Sequence, residues 1–338
     1  MTTMKEVAER AGVSVTTVSH VINGTRYVSP ELTERVEKAI EGLDYHPDPL
    51  AQGLSKGKTN TLALVVSDVA NPFFPKVARG VEDCALENDY STILCNTDED
   101  TAKEKKYLSL LIEKNVDGLI VAPASQGTTN LSVAMDRDVP LVLIDRFLDQ
   151  MEVDQVYSNN FLGSKQGVEH LIELGHERIG IISEINTIST FSQRIQGYRE
   201  ALEKNKLPYK EEYVRQAGLE IEGAYQAAES LLTHCEEITA IFSTNDLMTE
   251  GILQYFKDDD IQCPEEVSLL AFDDPTWASS FNPSITAIAQ RPYDMGYRAA
   301  SLLFKRMKPE SDTMPFQRVE LPVKLNIRES TVSPKGVT

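Results

Sequence analysis

Two hydrophobic rhythms divide the chain. Up to about residue 45, apolar positions recur every three or four residues, the period of a helix with one buried face. Val7, Ala8 and Ala11 share one side of a segment from Lys5 to Ala11, which Gly12 interrupts, and glycine suits a turn that needs positive φ. Ser14 is placed to cap a second segment, Val15 to Ile22, with Val18 and Val21 inward. Asn23-Gly24 makes a turn, Ser29 caps and Pro30 opens a third helix, and Leu32, Val36, Ala39, Ile40 and Leu43 form its stripe. From residue 61 the rhythm changes. Short apolar runs (61–66, 91–95, 118–122, 141–145, 179–183, 240–244 and 267–272) alternate with amphipathic stretches (77–88, 103–114, 163–174, 192–204 and 227–234). Strand, helix, strand repeats predict an α/β fold with parallel sheets covered by helices.

At 338 residues the chain has room for two or three domains. No run approaches the roughly 20 apolar residues that span a bilayer, and MTTMKEVAERAGVSVTTVSH lacks the features of a secretory signal. Cys84, Cys95, Cys235 and Cys263 show no metal-ligand or disulfide spacing, so reduced thiols in a cytoplasmic protein without cofactor or metal are expected. The net charge is −19, with 33 basic and 52 acidic residues, and such a body repels phosphates in bulk. Its distribution is uneven: residues 1–60 carry a net −1 and the other 278 carry −18. Any nucleic-acid contact must therefore be made by directed groups near the N-terminus, where Lys5, Arg10 and Arg26 face only Glu6 and Glu9 in the first 30 residues.

Two short helices joined through a glycine turn make a helix-turn-helix. The outer face of the second carries Val15, Thr16, Thr17 and His20. Threonine bonds bases or phosphates, a valine methyl meets a thymine methyl, and histidine donates to a purine acceptor. The stretch MKEVAERAGVSVTTVSHVINGTRYVS resembles the headpiece of the LacI/GalR family of bacterial transcription regulators, closest to its purine repressor branch through TTVSHVIN. The resemblance implies that Thr16, Thr17 and His20 face the major groove, and that Arg26 reaches flanking backbone or a base. The next segment, YHPDPLAQGLSKGKTNT, reads as a linker. Within it residues 49–55 could form barely two turns of helix, too short to be stable alone. In the family this is a hinge helix that folds on DNA with its dimer mate. By that resemblance Leu54, followed by Ser55, is the wedge that opens a central base step in the minor groove. Asp48 and Gln52 stand where the family usually has Asn and Arg, which removes one positive charge there.

In open α/β sheets a ligand sits beyond the carboxyl ends of the strands. Polar and charged residues follow the strands here: DVANPFF from Asp68, Asp145-Arg146, Asn245-Asp246 and Asp273-Asp274. Carboxylates, guanidinium groups and amides bond hydroxyls, and aromatic faces cover C–H groups. The large domain resembles periplasmic sugar-binding proteins of the ribose type, on Asn71, Phe73, Phe74, Asp145, Arg146, Arg194, Asn245, Asp273 and Gln290. Leu219 stands where relatives often have an aromatic, and Trp277 is a candidate to supply that surface.

The expected fold is a three-helix headpiece (1–46), a hinge and linker (47–60), and a two-subdomain periplasmic-binding-protein-like α/β domain (61–330). Its first subdomain spans about 61–161 and 292–322, its second about 162–290 and 323–330, with a loose tail at 331–338. The expected function is a repressor that binds a near-palindromic operator as a homodimer, with no membrane partner, and that a sugar-like effector switches. The alternatives are a transport receptor with the same pocket, or a glycoside-processing enzyme using Asp145 and Asp273. No G-x-S-x-G, glycine-rich phosphate loop or H-E-x-x-H supports an enzyme.

Overall fold

Residues 62–66, 119–121 and 141–144 are buried along their whole length, the condition of parallel strands covered by helices on both faces. The computed structural model describes residues 2–24, 26–45, 58–184, 188–308 and 313–334. They pack as two units, Met1–Thr59 and Asn60–Thr338.

The first unit holds α1 (Met4–Ala11), α2 (Val15–Asn23) and α3 (Pro30–Gly42). A capping box starts α1: Thr3 Oγ1 accepts from the Glu6 amide, and Glu6 Oε2 accepts from the Thr3 amide at 2.7 Å. Gly12 (φ 62°) and Gly24 (φ 60°) end α1 and α2 in the left-handed region. Arg35 Nη2 donates to the Ala11 carbonyl at 2.6 Å and ties α3 to the turn. The core joins Val7, Ala8, Ala11, Val18, Val36 and Ala39 to Tyr45. Leu32, predicted in the α3 stripe, lies outside that core and is only half-buried, and Tyr45, beyond the helix, is buried there instead.

The second unit contains two six-stranded sheets. The first has the order β11-β5-β4-β3-β1-β2, built from β1 (Thr61–Val66), β2 (Ser91–Asn96), β3 (Gly118–Val121), β4 (Leu141–Ile144), β5 (Asp154–Ser158) and β11 (Arg318–Leu321). The second has the order β12-β10-β9-β8-β6-β7, from β6 (Ile179–Ser183), β7 (Val214–Gln216), β8 (Ala240–Ser243), β9 (Ser268–Phe272), β10 (Thr286–Ala289) and β12 (Lys324–Asn326). Every pairing is parallel except β10 with β12. The chain crosses between sheets three times, after β5, β10 and β11. Helices α4 (Phe73–Leu86), α5 (Thr101–Glu113), α6 (Thr129–Met135) and α11 (Pro292–Arg306) pack with the first sheet, and α7 (Asn160–Glu173), α8 (Ser189–Lys204), α9 (Ile221–His234) and α10 (Asp246–Asp258) with the second.

Strand β5 escapes a hydrophobic reading because its first two residues are polar and fully buried. Arg306 holds Asp154 through Nε (2.5 Å) and Nη2 (3.0 Å), and Gln155 exchanges hydrogen bonds with both backbone groups of Leu148. Such groups tolerate burial because they are fully partnered. The expected tail begins too early at 331. Thr331 Oγ1 meets Thr286 Oγ1 at 3.0 Å, and the Val332 amide donates to Ser268 Oγ at 3.1 Å, so both residues are held against the second sheet.

Two glycines let α4 and α11 touch backbone to backbone. A Cβ at Gly80 would lie 2.2 Å from the Tyr293 carbonyl oxygen, and one at Gly296 would lie 2.0 Å from that of Val77. Neither neighbour is a flexible side chain, so the helices must separate to admit a larger residue. Gly296→Val is expected to destabilise the protein by about 3 kcal/mol, read from the midpoint of chemical denaturation; an unchanged midpoint would contradict this packing.

Candidate functional site

In the first unit, Ser14 caps α2 by accepting from the Thr17 amide at 3.1 Å. Its hydroxyl also meets Thr17 Oγ1 at 2.8 Å. Thr17 is therefore partly committed to the cap and half-buried, as is His20, whereas Thr16 and Arg26 are exposed and Val15 is 44% exposed. Val18 is fully buried on the opposite side. The helix thus offers a short row of small groups with one basic residue just beyond it. Tyr27, beside Arg26, is 87% exposed, and helical periodicity gave no signal for it. Leu54 and Ser55, with Asp48 and Gln52, lie outside the described residues.

In the second unit the carboxyl ends of both sheets open on one cavity of about 650 Å³. Ten of the eleven residues proposed from sequence line it. Asn71, Phe73 and Phe74 follow β1, Asp145 and Arg146 follow β4, and Arg194 lies on α8 after β6. Leu219 follows β7, Asn245 follows β8, Asp273 follows β9 and Gln290 follows β10. The exception is Trp277. It lies half-buried in a separate apolar cavity of about 560 Å³ against α10, beside Leu253, Phe256 and Phe281. The chain leaving β9 carries it away from the strand end, so it does not replace the missing aromatic near Leu219. Phe191 does line the cleft. It precedes Arg194 by three residues on α8, a spacing that marks one helix face. Glu99, Asp98, Asp68, Thr190 and Glu220 also line the cavity, and only the polar runs after the strands hinted at them.

Asp145 and Asp273 occupy equivalent positions, each directly after a strand and each with a left-handed backbone (φ 65° and 83°). Their amides donate to Val156 and Ile288, each at 3.0 Å, on the next strand of their sheets. Aspartate enters this region more readily than most residues. Between them lie two buried guanidinium groups. Arg194, 3% exposed, donates from Nε to Asn160 Oδ1 (2.8 Å) and from Nη1 to the Thr244 carbonyl (2.5 Å). It stacks on Phe272 at 3.8 Å and lies 4.0 Å from Asp273. Arg146, 4% exposed, is clamped by Glu99, with Nη1 donating to Oε2 at 2.5 Å and Nη2 to Oε1. Its Nη1 also donates to the Pro123 carbonyl at 2.7 Å.

Burial raises the pKa of Asp145, opposed by Arg146 and Arg194, and it raises that of Asp273, opposed by Arg194 and Gln290. For Arg146 burial is outweighed by Glu99, which holds its pKa high, whereas burial prevails at Arg194 and lowers it. Among the described residues, hydrogen bonds join the chain packed with the first sheet to that packed with the second. Asn71 Nδ2 donates to Asp246 Oδ1 at 2.8 Å, and the Phe147 amide donates to Ser189 Oγ at 3.2 Å. Asn245 caps α10 by accepting from the Met248 amide at 2.7 Å, so it serves both helix and cavity.

Residues 3–48 match the model for bacterial regulatory proteins of the lacI family, and residues 168–331 match a periplasmic binding protein-like domain. The chain is 39% identical over 313 residues to the probable HTH-type transcriptional regulator EndR of Paenibacillus polymyxa, covering 91% of each. The chain belongs to the lacI family of bacterial regulatory proteins. The HTH-type transcriptional repressor PurR of Haemophilus influenzae (strain PittEE) is 33% identical over 336 residues, covering 98% of this chain and 99% of that one. A transcriptional regulator CelR–cellobiose complex is similar with a TM-score of 0.75 and 30% identity, covering 98% and 100%. The lac repressor dimer bound to operator and the anti-inducer ONPF shares the fold with a TM-score of 0.87 at 24% identity, covering 98% and 99%. This lacI-family regulator is accordingly a DNA-binding transcription factor with a ligand cleft in its second unit, and its relatives are regulators rather than enzymes.

Burial, reinforced by Asp273, pushes the pKa of Asp246 up to about 7. The folded form therefore binds the proton more tightly than the unfolded chain, whose carboxyl titrates near the ordinary 3.8. Stability from this group is full below about pH 4 and is lost as pH rises toward about 7. Asp246→Asn keeps an oxygen for Asn71 and removes the titration. It should gain on the order of 1–2 kcal/mol over the wild type between pH 5 and pH 8, measured as paired thermal melts; parallel curves would refute the shift.

Proposed function

We propose that this regulator is a repressor that binds a near-palindromic operator as a homodimer and responds to a small polyhydroxyl effector, a sugar or sugar derivative, in the cleft. The observation that carries the reading is the convergence of ten sequence-selected residues, from strand ends of both sheets, on one cavity. CelR with bound cellobiose lends support, as does the lac repressor dimer on its operator. Val15, Thr16, Thr17 and His20 read base edges in the major groove, and Arg26 anchors on the backbone. Leu54 and Ser55 act at the centre of the operator. Asp145, Asp273, Asn71, Asn245, Gln290 and Arg194 bond effector hydroxyls, Arg146 lines the same wall with Glu99, and Phe73, Phe74, Phe191 and Leu219 cover the C–H faces. The regulator works in the cytoplasm and performs no catalysis. Among the described residues, no helix is long and apolar enough to cross a membrane.

The switch is thermodynamic. An effector that bridges the strand ends of both sheets favours one relative orientation of them, and its differential affinity for the two orientations sets the coupling. About 1–3 kcal/mol changes operator affinity roughly 5–150-fold, and operator alters effector affinity by the same factor.

Thr16→Ala is expected to relax preference at one base position, whereas Arg26→Ala weakens all duplexes alike and lowers the salt slope by about 1. Fluorescence anisotropy against a randomised operator library separates the two outcomes, and variants indistinguishable from wild type would exclude this helix from recognition. For the cleft, Arg194→Ala should reduce affinity about 10-fold or more for whichever sugar a thermal-shift screen of pentoses, hexoses and disaccharides selects. Calorimetry showing no loss would remove Arg194 from the binding set.

A further inference from the structure

The charge of the cleft narrows what it can hold. Asp68, Asp98, Glu99, Asp145, Glu220 and Asp273 line it, and among the described lining residues the cations are Arg146 and Arg194. Of the cations near the cleft, Lys103 pairs with Asp98, and Lys76 acts on Asp273 from a small adjoining cavity. An anionic ligand needs a guanidinium whose charge is not already balanced, and neither arginine offers one. Both Nη groups of Arg146 bond Glu99, and Nη1 also bonds Pro123. Its Nε is buried without a hydrogen-bond partner, 3.6 Å from Asp145. Arg194 commits Nε to Asn160 and one Nη1 hydrogen to Thr244, and the charge on its remaining N–H groups is already balanced by Asp273, 4.0 Å from Nη1, and by Asp145. Two of the three lining amides already donate to carboxylates, Asn71 to Asp246 and Gln290 to Asp273 at 2.6 Å, while Asn245 uses its oxygen as the cap of α10. Acceptors remain: carboxylate lone pairs and Gln290 Oε1, buried with no partner. Hydroxyls can donate to these, whereas a carboxylate or phosphate brings only acceptors and a charge of the same sign.

We infer that the effector is a carbohydrate bearing no carboxylate or phosphate, and that Glu99 sets this selectivity by occupying the Arg146 fork that an acidic sugar would otherwise take. The inference rests on the cleft being the effector site. Glu99 follows β2 and Arg146 follows β4 of the same sheet, so the clamp does not depend on how the two sheets are oriented. Displacing Glu99 would leave a partly buried carboxylate uncompensated.

The test is calorimetry on the full-length protein at neutral pH with matched probes: D-glucose against D-glucuronate and glucose 6-phosphate, D-ribose against ribose 5-phosphate, and cellobiose against cellobionate. Wild type should prefer the neutral member of the pair it recognises by about 100-fold or more. Glu99→Gln and Glu99→Ala should each narrow that ratio about 10-fold by freeing the fork. A ratio within one variant is insensitive to a general loss of stability, and the wild-type arm needs no variant. An acidic probe binding wild type as tightly as its neutral partner overturns the inference and leaves the effector-site reading standing. An unchanged ratio in both folded variants overturns the role of Glu99. No binding of any carbohydrate, neutral or acidic, defeats the effector-site reading and this inference with it.

Discussion

A guanidinium that is almost wholly buried keeps its charge only if carboxylates and carbonyls surround it, and the cleft of this regulator is organised around two of them. Arg146 is held by Glu99 and Pro123, Arg194 by Asn160, Thr244 and the face of Phe272, with Asp145 and Asp273 close by. These contacts come from loops after β2, β3, β4, β8 and β9, and from α7 and α8. Breaking one partner would strand a buried charge, a loss of several kcal/mol that replacing the whole set would not incur. The arrangement therefore resists piecemeal change while leaving carboxylate and amide oxygens turned to ligand chemistry.

The two sheets repeat one construction. Each runs five parallel strands in equivalent order, each places an aspartate with positive φ after its fourth strand in sequence order, and each anchors that aspartate's amide to the neighbouring strand. Facing copies of the same device give a site whose two halves belong to different sheets, and a ligand that touches both must sense their relative orientation. Three chain crossings join the two halves. The Asn71–Asp246 hydrogen bond already links them. The first unit works on another scale. Its helices are set by caps, two left-handed glycines and one arginine on a turn, all local chemistry that leaves Val15 and Thr16 exposed on the outer face of α2.

Much of this was legible without coordinates because the relevant signals are short-ranged. Ser14, Gly12 and Pro30 act within a few residues of themselves, so α1, α2 and α3 could be read from caps and spacing. The long apolar runs of β1, β3, β4 and β9 declare buried parallel strands for the same reason. Strand β5 was hidden because Asp154 is buried by virtue of Arg306, a partner 152 residues away. Trp277 was misplaced because its proximity to β9 in sequence says nothing about the direction in which the chain leaves the sheet.

By itself the sequence determined the helix-turn-helix, the alternation of strands and helices, and the polar residues that follow the strands, since capping, periodicity and turn chemistry are encoded by neighbours along the chain. Only the tertiary structure decided which of those polar residues meet, that Glu99 closes the fork of Arg146, that Phe191 rather than Trp277 walls the cleft, and that Thr331 and Val332 belong to the packed body. Such pairings depend on the order of strands within each sheet and on the path between sheets, and residues far apart in sequence carry no mutual signal until folding brings them into contact.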